Sequence, residues 1–303
     1  MPPRLLLVTI DRLPAWILPA WGATWVSTPA LDALAGRGVV FDRLINPTPD
    51  PRQTLADLGE SLFAPAALGG LRARLVTDDP AVAALLATRG VEVSATVVPV
   101  VVPRRAARRA EETCLGRLFA AACGALAEGD HGIVWVHATS LGVTWDAPEA
   151  FRAPYLDPDD PPLPEGVGVP SLRLAADVDP DLVMGHRQRF AAQVSLLDRC
   201  LGELLSAIPT APAAAHASTI CVAGVRGMPL GLQGLVGLPA PTDDEIPSGE
   251  CVHCPAILVD GSERMAGQRY PGLVIPADLW ETLRGWLGVA EDPHLPAAAT
   301  GRS

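Results

Sequence analysis

Asp11 is the first residue in the chain whose type and position suggest chemistry. It ends the stretch Leu5–Asp11, LLLVTID, in which five branched apolar residues and one threonine lead into a carboxylate. Such a run is too short to span a membrane and predicts a strand buried on both faces of a parallel sheet. Open α/β sheets bind their ligands at the carboxyl ends of their strands, so Asp11 is expected at the mouth of a site. There it is either a metal ligand or an ordinary helix cap, and its residue type alone does not decide.

Two other sets of side chains have metal-binding chemistry but a simpler interpretation. His137 follows a short apolar strand, where the role of a metal ligand competes with that of a core histidine bonded to the backbone. Cys251, His253 and Cys254 form a single CxxC pattern. A zinc site needs two further ligands, so buried thiols are the favoured interpretation.

The elements that must position these residues are predicted from apolar patterns. Strands are predicted near residues 5–10, 72–77, 133–137 and 218–224, and helical spacing predicts helices at 104–128 and 181–208. Ser27-Thr28-Pro29 fits the capped start of a further helix. Four arginines fit the exposed start of the helix at 104–128, with a small anion-binding patch as the alternative: Arg104, Arg105, Arg108 and Arg109.

The segment 142–180 is rich in proline and aspartate and is too long for an ordinary connection. We therefore expect an irregular flap over one face of the protein.

Composition excludes several classes of function. The formal net charge of -11 over 303 residues argues against nucleic acid or an anionic membrane as a partner. The sequence contains no lysine, which excludes a Walker-type phosphate loop and a Schiff-base mechanism because both need a lysine amine. The hydrophobic fraction of 49% predicts a sizeable core.

The sequence also suggests a compartment. It shows no signal peptide and no apolar run of membrane-spanning length. Its 6 cysteines, without an export signal, are expected to be reduced thiols. A cytoplasmic protein is therefore expected.

Three stretches near the N-terminus resemble the sulfatases of the alkaline-phosphatase-like superfamily. Leu5–Asp11 resembles the family's strand that ends in an acidic metal ligand. Trp25–Arg43, WVSTPALDALAGRGVVFDR, resembles its TPNLDxLAxxGVxF helix and strand almost residue for residue, and is the most specific part. Thr48–Leu58, TPDPRQTLADL, resembles the C/S-x-P-S-R turn that carries the nucleophile and opens a helix.

Further stretches extend this resemblance over almost the whole chain. Residues 189–208 and 273–289 resemble two family helices, and Gly301-Arg302-Ser303 resembles the start of a G-R-S-L motif. The resemblance implies an α/β fold in which helices sandwich a central, mostly parallel sheet. It also implies one domain over residues 1–303, without the family's smaller C-terminal subdomain.

Carried over position by position, the resemblance implies a site that keeps few of the family's functional groups. Asp11 stands at a metal-ligand position, Thr48 at the nucleophile position and Arg52 at the position of the family's arginine. Threonine cannot follow the cysteine-to-formylglycine route of the sulfatases, although phosphodiesterases of the superfamily use a threonine nucleophile. The other matched positions have lost the family's acids, lysines and histidines: Arg12, Asp78, Pro80, Gly142, Val225, Arg226 and Leu238.

These losses bear on the cofactor. A Ca²⁺ or Mg²⁺ site needs several oxygen ligands, and one matched carboxylate remains. We therefore expect no cofactor, with a single divalent cation, Ca²⁺ or Mg²⁺, as the alternative. Arg12, His137 and Arg226 are expected to line the former site.

Two hypotheses follow for the function. The favoured one is a sulfatase-like pseudoenzyme that serves as a scaffold or binds a small anion, with an unknown anion or protein as partner. The alternative is an active ester hydrolase of the same superfamily that uses Thr48. A third possibility is an incomplete gene product.

The loss of the metal predicts a specific contact. A buried Asp11 without a cation costs several kcal/mol unless it is paired. A guanidinium group can grip a carboxylate through two hydrogen bonds, so Arg226, or otherwise Arg12 or Arg52, is expected against Asp11. The competing possibility is that the introduced arginines point into solvent.

Overall fold

The strand that ends at Asp11 lies in the middle of the sheet, with every residue buried. The computed structural model describes residues 3–48, 50–63, 71–208, 218–238 and 248–287. Pro49 and the Gly301-Arg302-Ser303 stretch lie outside these ranges.

Nine strands form the main sheet, in the order β11-β2-β10-β7-β1-β5-β3-β4, with β9 paired to β2. Their bounds are β1 Leu5–Asp11, β2 Val39–Ile45, β3 Ala73–Thr77, β4 Ser94–Val97, β5 Ile133–Ala138, β7 Thr219–Arg226, β9 His253–Cys254, β10 Ala256–Val259 and β11 Gln268–Val274. The five strands from β7 to β4 are parallel, as are β11 and β2. Strand β10 is antiparallel to both of its neighbours. The predicted mostly parallel sheet is therefore confirmed, including all four strands named from the sequence.

Helices cover both faces of this sheet. Those longer than one or two turns are α1 Pro29–Arg37, α2 Pro51–Phe63, α3 Pro80–Thr88, α4 Cys114–Glu128, α5 Pro180–Ser206 and α6 Pro276–Leu287. One core cluster lies under α1, α4 and α5 and takes Leu6 and Val8 from β1. The other lies under α2, α3 and α6 and takes Leu5 and Leu7. This alternation explains the unbroken apolar run of β1, because the strand supplies both cores.

Helix α4 begins ten residues later than the sequence pattern predicted. Thr113 caps it by accepting a hydrogen bond from Gly116 N at 2.9 Å, and Asp146 accepts one from Cys114 N at 2.9 Å. The four arginines expected on its first turns lie in the preceding loop instead. One of them, Arg109, pairs with Glu111 and Glu112. The helical spacing before Thr113 was misleading because the cap and Asp146 fix the start of the helix.

The segment predicted as an irregular flap contains several short elements. These are the helix Glu149–Arg152, the turn Ala153–Tyr155 and strand β6 Ser171–Arg173, which pairs with β8 Leu235–Gly237. Its buried Trp145 ring lies 5.3 Å from the Phe190 ring of α5.

Among the helices of the described ranges, none combines the length and the apolar character needed to cross a membrane.

The start of α1 is capped differently from the prediction. Thr28 makes no side-chain capping hydrogen bond. Instead, Asp198 of α5 accepts hydrogen bonds from Ala30 N at 3.0 Å and Leu31 N at 2.8 Å. Burial raises the pKa of Asp198, and these two hydrogen bonds act against that rise. A carboxylate that is distant in the sequence therefore caps the helix in place of the expected local residue.

Replacing Asp198 with alanine is expected to lower the free energy of unfolding by about 2 kcal/mol, because two buried N–H groups lose their acceptor. Asp198→Asn keeps one acceptor oxygen and is expected to cost about half as much. Urea denaturation of both variants measures these losses. A loss from Asp198→Ala no larger than from the exposed Glu203→Ala would contradict this role.

Candidate functional site

The carboxyl ends of β1, β3, β5 and β7 surround a cavity of about 460 Å³. Five of the six predicted site residues line it: Asp11, Arg12, Arg52, His137 and Arg226. Three further carboxylates also line it: Asp50, Asp78 and Asp79. The topology therefore brings together residues that are more than 200 positions apart in the sequence.

Asp11 forms a two-pronged ion pair with Arg226. The Arg226 guanidinium donates from Nε to Oδ1 at 3.1 Å and from Nη2 to Oδ2 at 2.8 Å. Asp11 exposes only 8% of its side chain and Arg226 exposes 23%. The contact predicted from the resemblance is therefore present, in the bidentate geometry that makes guanidinium–carboxylate pairs strong.

A local irregularity in the sheet aligns these two residues. The pairing of β1 with β7 shifts between Ile10 and Asp11, so that Asp11 lies opposite Arg226 rather than Val225. Val225 is buried in the core on the other side. The shift places Arg226 opposite Asp11, where an unbroken register would have placed Val225.

Arg12 supplies a second cation beside Asp11. Its Nε lies 3.9 Å from Asp11 Oδ2, and its side chain exposes 17%. Burial lowers the pKa of Arg12 to about 10, while Asp11 acts in the opposite direction, so the side chain remains charged at neutral pH. Its backbone has a φ of 68°, in the left-handed region that non-glycine residues rarely adopt. Strain of this kind concentrates at functional sites.

His137 is held from the core side of the cavity. Thr9 Oγ1 lies 2.9 Å from His137 Nδ1 and accepts a hydrogen bond from Trp135 Nε1 at 2.8 Å. The Thr9 hydroxyl also donates to Val136 O at 3.4 Å. His137 is thus a buried, bonded histidine that also lines the cavity.

Asp78 is a site residue that the sequence did not single out as one. It accepts hydrogen bonds from Thr139 N at 2.7 Å, Thr139 Oγ1 at 2.9 Å and Ser140 N at 3.0 Å. Burial lowers the pKa of His137 although Asp78 and Asp11 act in the opposite direction, so the ring is neutral at pH 7. The strand-then-acid signal that marked Asp11 also occurs at Val76-Thr77-Asp78 and could have identified Asp78.

The predicted nucleophile, Thr48, is placed less favourably. It is not among the described residues that line the cavity, and its backbone N–H donates to Asn46 Oδ1 at 3.1 Å. Asn46 is buried and donates from Nδ2 to Val225 O at 2.6 Å and to Thr54 Oγ1 at 3.0 Å. It therefore ties the Thr48 loop to β7 and α2. This role was not predictable because a lone asparagine after a strand carries no distinctive pattern.

The side chains around Asp11 do not fit a divalent cation. Within the described ranges, one group of three histidine, cysteine or acidic side chains brings its ligand atoms within 4.8 Å of one another, and it lies elsewhere. Asp78 directs both oxygens at backbone or hydroxyl donors, Asp79 accepts from Ala81 N at 2.8 Å, and Asp50 from Arg52 N at 2.9 Å. Asp11 itself faces two guanidinium groups.

The CxxC pattern also fails to form a metal site in the described ranges. His253 Nε2 contacts Asp42 O at 2.8 Å, and Ser248 Oγ contacts Cys251 Sγ at 3.3 Å. Burial raises the pKa of the Cys254 thiol far above its ordinary value. All six cysteines are free, as expected for reduced thiols.

Solved structures share this architecture. A phosphonate monoester hydrolase of Agrobacterium radiobacter has 19% identity and a TM-score of 0.70, over 95% of this chain and 74% of that chain. The enzyme of the same name from Silicibacter pomeroyi has 17% identity and a TM-score of 0.65, over 95% and 74%. A putative sulfatase from Bacteroides thetaiotaomicron has 16% identity and a TM-score of 0.64, over 97% and 72%.

Neither a family model nor a curated protein sequence matches the chain. The relationship is therefore visible in structure at identities below 20%. Because similarity at this level establishes architecture rather than activity, the conclusion concerns the fold. The chain has the alkaline-phosphatase/sulfatase-like fold.

Proposed function

We propose that this protein is a sulfatase-like pseudoenzyme that does not hydrolyse esters and binds a small anion at the Asp11 cavity. The observation that carries the proposal is the bidentate Asp11–Arg226 ion pair. The resemblance to the sulfatases places residues 11 and 226 both at positions of that family's metal site. The guanidinium group of Arg226 bonds to both oxygens of Asp11, so a cation at Asp11 would meet a positive charge already in place.

The positions of the arginines, rather than the overall charge of the cavity, favour anion binding of modest strength. Three arginines and four aspartates line it. Asp11 is neutralised by Arg226, whereas Asp78 and Asp79 accept hydrogen bonds from nearby N–H groups. Arg12 and Arg52 then remain as cations facing the cavity. Because the carboxylates oppose an anion, we expect a dissociation constant of about 1 mM, which corresponds to about 4 kcal/mol.

The binding experiment titrates inorganic sulfate and phosphate into the protein at low ionic strength, with calorimetric detection. Arg52→Met is expected to lower the association constant about tenfold, because a guanidinium–anion contact is worth about 1.4 kcal/mol or more. Arg199→Met, on an exposed face of α5, is the matched control and should leave binding unchanged. If wild-type protein binds neither anion, the anion-binding proposal is wrong and the scaffold hypothesis remains.

The loss of catalysis is checked separately. The protein is assayed against an aryl sulfate, a phosphate monoester and a phosphonate monoester, with and without Ca²⁺ or Mg²⁺. We expect no rate above buffer in any case, because Thr48 is not among the residues lining the cavity and, in the described ranges, Asp11 belongs to no group of three ligand atoms within 4.8 Å of one another. A metal-dependent rate that Thr48→Ala abolishes would instead establish the active hydrolase.

A further inference from the structure

A second group of side chains lies at the amino ends of the strands, opposite the Asp11 cavity. It has the composition of a transition-metal site. Glu128 ends α4, and Asp130 and His131 follow in the turn that leads into β5. Their ligand atoms all lie within 4.8 Å of one another. Strand β5 separates this group from His137 by six residues, or roughly 20 Å, so it is distinct from the Asp11 cavity.

His131 is the member that points to a ligand. Its side chain is only 8% exposed, and its Nδ1 is buried without a partner in hydrogen-bonding geometry. Asp130 Oδ1 lies 2.6 Å from this nitrogen, but the contact does not have the direction of a hydrogen bond. A buried nitrogen that faces two carboxylate oxygens is costly unless a proton or a metal cation lies between them. A metal ion on the Nδ1 lone pair would satisfy it.

Two arginines orient the carboxylates of this group. Arg72 Nη2 contacts Asp130 Oδ2 at 3.1 Å, and Arg74 Nη2 contacts Glu128 Oε1 at 3.4 Å. The oxygens nearest His131 Nδ1 are the other two, Asp130 Oδ1 at 2.6 Å and Glu128 Oε2 at 3.9 Å. Each carboxylate thus presents one oxygen to an arginine and the second to the histidine. Outer hydrogen bonds of this kind commonly position metal ligands.

The spacing suits a small tetrahedral cation. Bonds of about 2.0–2.2 Å to zinc at tetrahedral angles place ligand atoms about 3.3–3.5 Å apart. The two separations from Nδ1, 2.6 Å and 3.9 Å, lie on either side of that value. Side-chain rotations that move each oxygen by less than about 1 Å would equalise them. A nitrogen donor beside two carboxylates favours zinc over calcium, which takes oxygen ligands only.

Two further features favour a cation here. Glu128 is the last residue of a 15-residue helix, whose carboxyl end carries partial negative charge. The group also borders a cavity of about 440 Å³ that Glu92 lines from the side of β4. This cavity leaves room for a water molecule or an external ligand to complete the coordination.

We propose that Glu128, Asp130 and His131 bind one Zn²⁺ ion, with a fourth position open to solvent. The site does not depend on the Asp11 cavity, so its success or failure leaves the proposed anion binding untouched.

The experiment measures Zn²⁺ binding to untagged protein by calorimetry in a buffer that does not chelate metals. Wild-type protein is expected to bind one ion. His131→Ala and Asp130→Asn should each weaken binding at least about tenfold, the usual range for loss of a metal-site group. Glu92→Gln changes a residue that lines the same cavity but lies outside the group, and it should change the Zn²⁺ affinity by less than about twofold. Asp11→Asn should also leave it unchanged.

A spectroscopic readout excludes the cysteines as ligands. Co²⁺ replacing Zn²⁺ should show the visible d–d bands of tetrahedral coordination and no thiolate charge-transfer band. Glu128→Gln, on a half-exposed side chain, serves if His131→Ala does not fold. Absence of Zn²⁺ binding, equal binding by His131→Ala, or a thiolate band would each overturn the proposal.

Discussion

Replacing Arg226 with methionine is expected to lower the free energy of unfolding by about 3 kcal/mol. The variant leaves Asp11, with 8% of its side chain exposed, without its bidentate partner. Removing one partner of a fully buried pair costs about 3–5 kcal/mol, and the 23% exposure of Arg226 places the loss at the lower end. Arg12, 3.9 Å from Asp11, recovers part of the interaction. Guanidinium chloride denaturation of both proteins measures the difference.

A double-mutant cycle separates the ion pair from the other contacts of Arg226. Asp11→Asn/Arg226→Met removes both charges, and a coupling energy of about 2 kcal/mol between the two positions is expected. Arg199→Met is the matched control, since its partner Glu203 is exposed and such pairs contribute under about 1 kcal/mol. A coupling energy indistinguishable from that of the Arg199–Glu203 pair would show that the Asp11–Arg226 contact does not replace a cation.

Much of the fold was predictable because the strands carry strong local signals. The LLLVTID run of β1 is apolar at every position but two, since its two faces enter two separate cores. Helix α1 and strand β2 matched a family pattern over Trp25–Arg43. The position of Asp11 at the carboxyl end of a strand was then enough to predict that it lies at the cavity, without knowledge of the topology.

The errors concern effects that act over long distances in the sequence. Helical spacing extended α4 back to Arg104, but the cap at Thr113 and the carboxylate of Asp146, 32 positions away, set its start. The α1 cap comes from Asp198 rather than Thr28. Local pattern contains no information about such partners.

The candidate site likewise combines residues that the sequence predicted with contacts that depend on distant parts of the chain. Asp11 and Arg226 were identified because the resemblance places both residues at positions of the family's metal site. The shift in register that aligns them cannot be inferred from the sequence of either strand. The roles of Asp78 and Asn46 were not predicted because they depend on backbone groups that only the folded loops bring within reach.

Converting both arginines to acids should make the stability of the protein depend on Ca²⁺. Arg12→Asp/Arg226→Asp places three carboxylates together, because residue 226 lies opposite Asp11 in the sheet and residue 12 follows it. The left-handed backbone at position 12, with φ 68°, suits aspartate better than arginine. Without metal, mutual repulsion and loss of the ion pair are expected to cost at least about 3 kcal/mol. Calcium at 100 times its dissociation constant should return about 2.7 kcal/mol.

The matched control is Arg12→Asn/Arg226→Asn, which removes the same cations but adds no negative charge. Thermal unfolding is followed in both variants across a Ca²⁺ titration, with wild-type protein alongside. The melting temperature of the acidic variant should rise with Ca²⁺, whereas the melting temperatures of the amide variant and of wild-type protein should not change. An equal Ca²⁺ response in the two variants would mean that the ion binds elsewhere. No response in the acidic variant would mean that the carboxyl ends of β1 and β7 no longer have the geometry of a metal site, and that more than the two arginines separates this cavity from a metal-binding one.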